Sequence, residues 1–406
     1  MDDEKDFPLL SDQTFENHLD PEDPTPSTRS IHDDQSVQYY KEVLKADNLV
    51  LSTLTTFHKI PFKSLPEKYY ERNNKSAMDN KQILWDKMLS WEQGNYVTRV
   101  TEPPKCISPM SVVTQPDFRK NTVKRRPCLD LSRHVNLHIA DTPMSISHLS
   151  AVEDMLIEGD FQTLYDLENM YFQIKVIPEH RQYLGCQIED PGTGKSHYFV
   201  FNVLIYGLKH AVATVTKLTK PVVDYLNKEG IRNTILIDDG RVLSRSVEEG
   251  CRNHKRALEV LQNAGWRIQW AKTDGNPSQT VLYQGLVNCT KPLSYFLPFY
   301  KIERIVTQIE ALEKAFEDGS SVPAKTLSAV LGTINSGFKA LGPLSRILMR
   351  SAYSLLSSVV QPFDFFTEQF SCPNWNQDID FNLQVSLNLE YFYIFYSEYF
   401  FRLCKN

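Results

Sequence analysis

The sequence lacks a long apolar run and any paired cysteine motif. Its most apolar stretch, residues 391–403, is interrupted by Glu398 and Arg402 and is shorter than the roughly 20 residues that a bilayer-spanning helix needs. The seven cysteines are scattered and never form C-x-x-C, and Cys251 with His254 has the spacing of only half a zinc site. No basic and apolar leader begins the chain. We therefore expect an intracellular protein, cytoplasmic or nuclear, without membrane contact.

A basic net charge is also missing, which at first argues against a nucleic-acid partner. The 406 residues carry a formal net charge of −6. Residues 1–34, however, hold eleven acids against Lys5 and Arg29, a net −9, which leaves +3 for the rest of the chain. This proline-containing, apolar-poor segment predicts a disordered acidic tail over residues 1–35. The remaining body is slightly basic, so a nucleic-acid partner is not excluded.

Short β-rich runs alternate with helical runs from about residue 96 to 287, which predicts an α+β core. The predicted strands are 106–113, 123–131, 163–166, 172–176, 184–188, 198–203, 234–237, 241–243 and 281–286, and the predicted helices are 147–158, 213–228 and 247–264. Apolar residues at helical spacing predict an amphipathic helix over 302–316 that ends at Gly319, followed by two or three packed helices over 323–360.

The sharpest local signal is Asp238-Asp239-Gly240 between two apolar runs. In one interpretation Asp239-Gly240 simply turns a β-hairpin, since Asp-Gly suits a type I′ turn. In the other, the two adjacent carboxylates at a strand end join a third acid from another strand. Asp166, which ends a predicted strand, is a plausible third acid. Three such carboxylates can hold two divalent cations that activate a hydroxyl and stabilise a leaving phosphate oxygen.

Two further motifs are ambiguous. The basic residues between 119 and 126 are either a solvated loop or a phosphate-binding finger; they are Arg119, Lys120, Lys124, Arg125 and Arg126. The segment 192–196, Gly-Thr-Gly-Lys-Ser, lacks the first glycine of a P-loop because Glu189 stands there. Strands rather than a helix are predicted around it, so it is interpreted as a hairpin loop.

Taken together and in order, the segments from Tyr96 to Val360 resemble the reverse transcriptases of DIRS-like and Gypsy-like retrotransposons. The blocks that carry the resemblance are 124–136 (KRRPCLDLSRHVN), 166–171 (DLENMY), 178–185 (PEHRQYLG), 204–208 (LIYGL), 236–239 (LIDD), 254–272, 283–286 (YQGL) and 328–346. The resemblance implies a right-hand polymerase fold. It divides the chain into a helical N-terminal extension (36–95), fingers and palm (96–290), a helical thumb or connection (291–360) and a linker (361–406) truncated before a missing RNase H domain.

The resemblance also implies an RNA-directed DNA polymerase that adds deoxynucleotides to a primer 3′-hydroxyl. Its partners would be an RNA template, a DNA primer or RNA–DNA hybrid, and deoxynucleoside triphosphates. Two Mg²⁺ ions, or Mn²⁺, would be held by the catalytic acids Asp166, Asp238 and Asp239. The nucleotide would be bound by Lys124, Arg126, Tyr171, Tyr206, Gly207 and Lys272. Tyr171 would exclude a 2′-hydroxyl, and Lys272 would either assist the leaving pyrophosphate or be a solvated surface lysine.

Several positions depart from the motifs of these enzymes, among them Leu236, where Tyr or Phe is usual, and Ile205, where Pro is usual. Both would alter the packing around the primer terminus and nucleotide. Two alternatives therefore stay open. The chain could be a catalytically weakened or inactive remnant that only binds nucleic acid, or a protein–protein module on the same scaffold that uses its acidic tail as the contact.

Overall fold

Strands and helices alternate along the chain, as the pattern of apolar residues predicts. The computed structural model describes residues 29–117, 122–141, 155–360, 363–364, 369–370 and 377–379. The chain divides into two compact units, with the boundary between Ser278 and Gln279. Most of the predicted helix 147–158, most of the segments 1–35 and 361–406, and Arg119 and Lys120 lie outside the described residues. The α+β class is confirmed.

The first unit holds three groups of paired strands. Its strands are β1 (Tyr69–Tyr70), β2 (Val97–Val100), β3 (Cys106–Ile107), β4 (Met110–Asp117), β5 (Thr122–Leu129), β6 (Phe161–Asp166), β7 (Gly185–Glu189), β8 (Ser196–Phe201), β9 (Arg232–Leu236), β10 (Asp239–Ser244) and β11 (Asp274–Ser278). They form a five-stranded sheet of order β1-β3-β7-β8-β2, an antiparallel sheet of order β11-β6-β10-β9, and the β4–β5 hairpin. The segment 192–196 lies in the β7–β8 hairpin, as predicted.

The helices of the first unit pack around these sheets. They are α1 (Asp34–Glu42), α2 (Asn48–Thr56), α3 (Lys75–Met78), α4 (Lys81–Gln93), α5 (Pro178–Arg181), α6 (Ala211–Lys228) and α7 (Val247–Asn263), with 3-10 turns at Val135–His138, Met170–Gln173 and Trp270–Lys272. Helix α7 begins where Ser246 accepts a hydrogen bond from the Glu249 amide. Its buried stripe includes Ala257, Leu258 and Leu261, which gives the one-sided apolar pattern of a helix covering a sheet.

The segment before α1 also belongs to this packed unit. Ile31 is fully buried. The His32 ring lies between the Lys175 amide, whose hydrogen bond it accepts, and the Leu54 carbonyl. In α1, the Tyr40 hydroxyl donates to the Leu218 carbonyl and accepts from the Trp266 indole N–H, both at 2.8 Å. Contacts far apart in sequence therefore fasten the N-terminal residues to the core.

Three predicted strands are wrong. The run 106–113 is two strands, β3 and β4, which Ser108 and Pro109 separate and which pair with different neighbours. The run 172–176 contains no strand: the chain forms the Met170–Gln173 3-10 turn, in which four consecutive side chains are buried rather than alternate ones. The run 281–286 is two strands rather than one, because Gln284 and Gly285, with φ of 53° and 71°, turn the chain between them. A consecutive apolar run does not distinguish these arrangements from one strand.

In the described residues, the second unit combines a three-stranded sheet and two pairs of short strands with a helical core. Its strands are β12 (Thr280–Tyr283), β13 (Leu286–Thr290), β14 (Leu293–Phe296), β15 (Val322–Pro323), β16 (Phe363–Asp364), β17 (Gln369–Phe370) and β18 (Asp378–Ile379), and its helices are α8 (Phe299–Glu317), α9 (Ala324–Asn335), α10 (Phe338–Leu341), α11 (Leu344–Leu348) and α12 (Arg350–Val360). The sheet has the order β12-β13-β14, and the pairs are β15-β18 and β16-β17. Helix α8 confirms the predicted amphipathic helix, with Ile305 and Leu312 on its buried face. In the part of the chain described, no helix has the length and apolarity to cross a membrane.

Candidate active site

Two acids face each other across neighbouring strands of the β11-β6-β10-β9 sheet. Asp166 is the last residue of β6 and Asp239 the first residue of β10, and they are directly opposite in the antiparallel register. Residues paired in this way have Cβ atoms about 4.5–5.5 Å apart, so both carboxylates belong to one small region of the sheet. The sequence likewise predicts that Asp166 and Asp239 lie at strand ends.

Asp238 is brought to this region by the turn between β9 and β10. The turn residues are Ile237 and Asp238, and the Leu167 amide, next to Asp166, donates to the Asp238 carbonyl at 2.9 Å. Ile237 has φ of 62°, a left-handed conformation that is a genuine outlier for a β-branched residue. Such strain persists only where the surroundings impose it, which is common at functional sites.

The alternative in which Asp239-Gly240 forms the turn is wrong. Both residues lie in β10, where Gly240 pairs with Tyr165 of β6 and Ile235 of β9. A Cβ on Gly240 would lie 1.9 Å from the Tyr165 ring, so this position requires glycine for close approach rather than for a turn. The ring of Tyr165 thereby packs against the backbone immediately after the two adjacent acids.

The Asp166 carboxylate is nearly buried and paired with a cation. Asp166 is 6% exposed, and the Lys272 ammonium, whose side chain is 59% exposed, donates to Asp166 Oδ2 at 2.8 Å. Burial raises the pKa of Asp166, and the negative charge of Asp238 acts in the same direction against the opposing effect of Lys272. The effect of Asp238 shows that two of the three acids interact electrostatically.

Two tyrosines lie beside these acids. The rings of Tyr171 and Tyr206 meet edge to face with centroids 4.8 Å apart. Tyr171 is only 5% exposed, whereas Tyr206 is 47% exposed and forms the outer member of the pair. Burial, followed by the Tyr206 ring and Asp238, raises the pKa of Tyr171 to about 12. Both hydroxyls are therefore neutral at physiological pH, since burial raises the pKa of Tyr206 as well.

Gly207 follows the outer tyrosine in a left-handed conformation, with φ of 91°. A Cβ at this position would lie 3.1 Å from the Leu129 carbonyl oxygen at the end of β5. Gly207 therefore lets the turn after Tyr206 pass close to the β4–β5 hairpin.

The basic side chains Lys124 and Arg126 lie on β5 and are exposed. Arg126 is close enough to Tyr206 to lower its pKa, against the larger effects of burial and of Asp238. Its guanidinium thus belongs to the electrostatic surroundings of the tyrosine pair. Lys124 lies two positions earlier on the same strand.

These residues fit a divalent metal in donor chemistry and in strand register, because carboxylate oxygens are the ligands that Mg²⁺ prefers. The side chains as they stand do not form a finished site. Among the described residues no three Asp, Glu, His or Cys side chains are grouped to hold a metal ion. One Asp166 oxygen is instead taken by Lys272.

Sequence reasoning missed one residue that shapes this region. Asn136, in the 3-10 turn Val135–His138, bonds through its side-chain amide to the backbone on both sides of Leu208. No periodicity or motif spacing assigns this contact, because its partners are more than 70 residues away in the sequence.

Comparisons with known proteins bear on the fold. The chain is similar to solved structures of the foamy viral protease-reverse transcriptase. In one complex with double-stranded DNA the identity is 17% and the TM-score 0.54, over 87% of this chain and 58% of that one. The complex with an RNA/DNA hybrid gives 16% and 0.54, over 87% and 45%, and another with double-stranded DNA gives 18% and 0.52, over 87% and 69%.

No protein-family model and no curated protein matches the sequence. The structural likeness shows a reverse transcriptase-like fold and confirms the predicted polymerase fold class. The chain spans about half of the length of the first two structures that it matches.

Proposed function

We propose that the chain is an RNA-directed DNA polymerase of a retroelement, which adds deoxynucleotides to a primer 3′-hydroxyl. The observation that carries the proposal is the register of Asp239 opposite Asp166, with Asp238 in the adjoining turn, on a reverse transcriptase-like fold. Catalysis of phosphoryl transfer depends on positioning and charge stabilisation, and carboxylates held at the ends of paired strands would supply both.

Asp166, Asp238 and Asp239 would hold the two Mg²⁺ ions. When bound, these ions would supply Lewis-acid stabilisation of phosphate oxygens and a more acidic primer hydroxyl. Lys272 already lies 2.8 Å from Asp166 Oδ2, so its ammonium is placed to hold a proton near the leaving pyrophosphate.

The nucleotide would lie against the tyrosine pair. Tyr171 would meet the sugar and disfavour a 2′-hydroxyl, and Tyr206 and Gly207 would form the adjoining wall. Arg126 and Lys124 on β5 would contact the triphosphate, since a guanidinium fork matches phosphate oxygens. The electrostatic influence of Arg126 on Tyr206 supports this placement for Arg126.

A second candidate function is nucleic-acid binding without polymerisation. The Lys272–Asp166 ion pair favours it, because the ammonium takes the carboxylate oxygen that a metal ion would need. Primer extension on an RNA template with Mg²⁺ or Mn²⁺ separates the two. Extension that requires deoxynucleotides supports the polymerase, and tight binding of the RNA–DNA hybrid with no extension in either metal supports the second candidate.

A further inference from the structure

Asn136 joins two parts of the first unit through both polar atoms of its side chain. Its Nδ2 donates to the Gly207 carbonyl at 2.8 Å, and its Oδ1 accepts from the Lys209 amide at 3.0 Å. One side-chain amide thus occupies a backbone acceptor and a backbone donor two residues apart. A neighbouring strand would offer the same pair of bonds, but residues 206–209 lie outside the strands that the structure describes.

The turn held in this way is the one that carries Tyr206. Gly207 is in the left-handed region and close to the Leu129 carbonyl, and within the turn the Leu208 amide makes only a long bond, 3.4 Å, to the Ile205 carbonyl. Helix α6 begins at Ala211. The Asn136 bonds therefore fix the turn between the exposed tyrosine and the start of this helix.

Asn136 is itself rigidly mounted. Val135, the first residue of its turn, and Ile139, the residue just after the turn, are fully buried. The Asn136 amide donates to the Leu131 carbonyl at 3.0 Å, and the Ala140 amide donates to the Pro61 carbonyl at 2.9 Å. Because these contacts hold the backbone of Asn136 in place, its side chain can hold the Gly207 and Lys209 backbone groups in place as well.

We propose that Asn136 is a positioning residue, which holds the 206–209 turn and thereby keeps the Tyr206 ring against Tyr171. Its consequence for nucleotide selection rests on the proposed function. The ring centroids of Tyr206 and Tyr171 are 4.8 Å apart. If Tyr171 meets the sugar, Tyr206 therefore limits how far the Tyr171 ring can move to make room for a 2′-hydroxyl. Loosening the turn would relax discrimination between deoxynucleotides and ribonucleotides more than it slows the chemical step.

The isosteric variant Asn136→Asp tests the clamp, because it removes the donor and sets a carboxylate against the Gly207 carbonyl. Asn73→Asp is a matched control. Asn73 makes the same pair of bonds, to the Gln187 carbonyl and from the Met110 amide, both at 2.9 Å. Amide hydrogen exchange over residues 204–211 should become about tenfold faster in Asn136→Asp, the equivalent of a lost hydrogen bond, and stay at the wild-type rate in Asn73→Asp. Unchanged exchange in Asn136→Asp would overturn the inference.

Steady-state primer extension tests the link to nucleotide selection. The ratio of kcat/KM for dTTP to that for UTP should fall about tenfold in Asn136→Asp, mainly through a lower KM for UTP, with kcat for dTTP less affected. An unchanged ratio in a variant whose turn exchanges faster would overturn that link. A wild-type protein that extends no primer would refute the proposed function, while hydrogen exchange still decides the clamp. Asn136→Ala gives both readouts without added charge if the Asp variant does not fold.

Discussion

Lys272 and Asp166 form an ion pair at the centre of the candidate site, with Nζ 2.8 Å from Oδ2. The carboxylate is nearly buried, whereas the ammonium is largely exposed, so the lysine can leave at little cost. We interpret Lys272 as a resident counter-ion for Asp166 that a metal ion displaces. On this interpretation, the lysine would weaken metal binding at the site where, under the proposed function, it would assist the leaving group.

Replacing Lys272 with Gln should therefore strengthen binding of Mn²⁺ while slowing primer extension. Because the Lys272 ammonium is largely exposed and solvent screens its attraction to Asp166, we take the ion pair to be worth about 1 kcal/mol, so the gain in Mn²⁺ affinity should be roughly fivefold or less. Isothermal titration with Mn²⁺ alone measures it without any turnover. Lys220→Gln, which breaks the exposed Lys220–Asp224 pair on α6, is the control and should leave Mn²⁺ affinity unchanged. Weaker Mn²⁺ binding by the Lys272 variant would contradict the counter-ion interpretation.

Gly240→Ala should destabilise the first unit and abolish extension together. The added methyl group would meet the Tyr165 ring at 1.9 Å, and overpacking of this kind costs about 1–3 kcal/mol. Urea unfolding of Gly240→Ala, Tyr165→Leu and the double variant measures the coupling between the two positions.

The double variant should be more stable than the sum of the two single losses predicts, because leucine removes the ring that the methyl group meets. Gly332→Ala is a useful contrast. It lies within α9 with no atom within 4 Å of the added methyl, so it should stabilise by up to about 1 kcal/mol. If the losses of the two single variants simply add, contact with the Tyr165 ring is not the reason that position 240 requires glycine.

Buried histidines should make the first unit sensitive to acid. Burial lowers the pKa of His58 from 6.5 to about 3 and that of His254 to about 4. The unfolded chain therefore binds these protons first. Above about pH 6.5 both histidines are neutral in the folded and unfolded chain, and stability does not depend on their protonation. As the pH falls from 6.5 to the pKa of the folded state, each histidine lowers the free energy of unfolding by up to about 1.4 kcal/mol per pH unit.

His254→Leu should make the loss of stability below pH 6.5 shallower by up to that amount. Both ring nitrogens of His254 are buried with no hydrogen-bond partner among the residues that the structure describes, so leucine should also be tolerated at pH 7.5. Urea unfolding between pH 7.5 and 4.5 gives the slope. Asn253→Ala, at the preceding position, should shift the free energy of unfolding without changing its pH dependence. An identical slope in His254→Leu and wild type would count against the assignment.

Deleting residues 1–28 should tighten binding of an RNA–DNA hybrid. These residues hold nine acids and one lysine, and the packed residues from Ile31 onward are left intact. The gain should be a few-fold at low salt and disappear near 1 M salt, where charges are screened within about 3 Å. Fluorescence anisotropy against salt concentration measures it. A neutral Gly/Ser segment of the same length, in place of 1–28, separates charge from chain length, and a deletion with no gain at low salt refutes the prediction.

The sequence predicts the strand-end positions of the three acids better than it predicts the residues that surround them. Asp166, Asp238 and Asp239 each lie at or near the end of an apolar run, so alternation and strand ends are enough to suggest that they meet. Asp239-Gly240 is a strong local signal for a turn, but the glycine is required for a tertiary reason, since the ring of Tyr165 packs against it. Lys272 and Asn136 act on partners 106 and 71 residues away, and no local pattern encodes such contacts.

The most direct test of the central claim is single-turnover incorporation of one deoxynucleotide into a primer on an RNA template with Mg²⁺. Wild type should incorporate it. Asp238→Asn should lose at least about 100-fold in rate, the scale seen when a charge-stabilising group is removed. Asp224→Asn on α6 changes an acid outside the site and should keep the wild-type rate. Incorporation by Asp238→Asn at the wild-type rate, or none by wild type, would contradict the account.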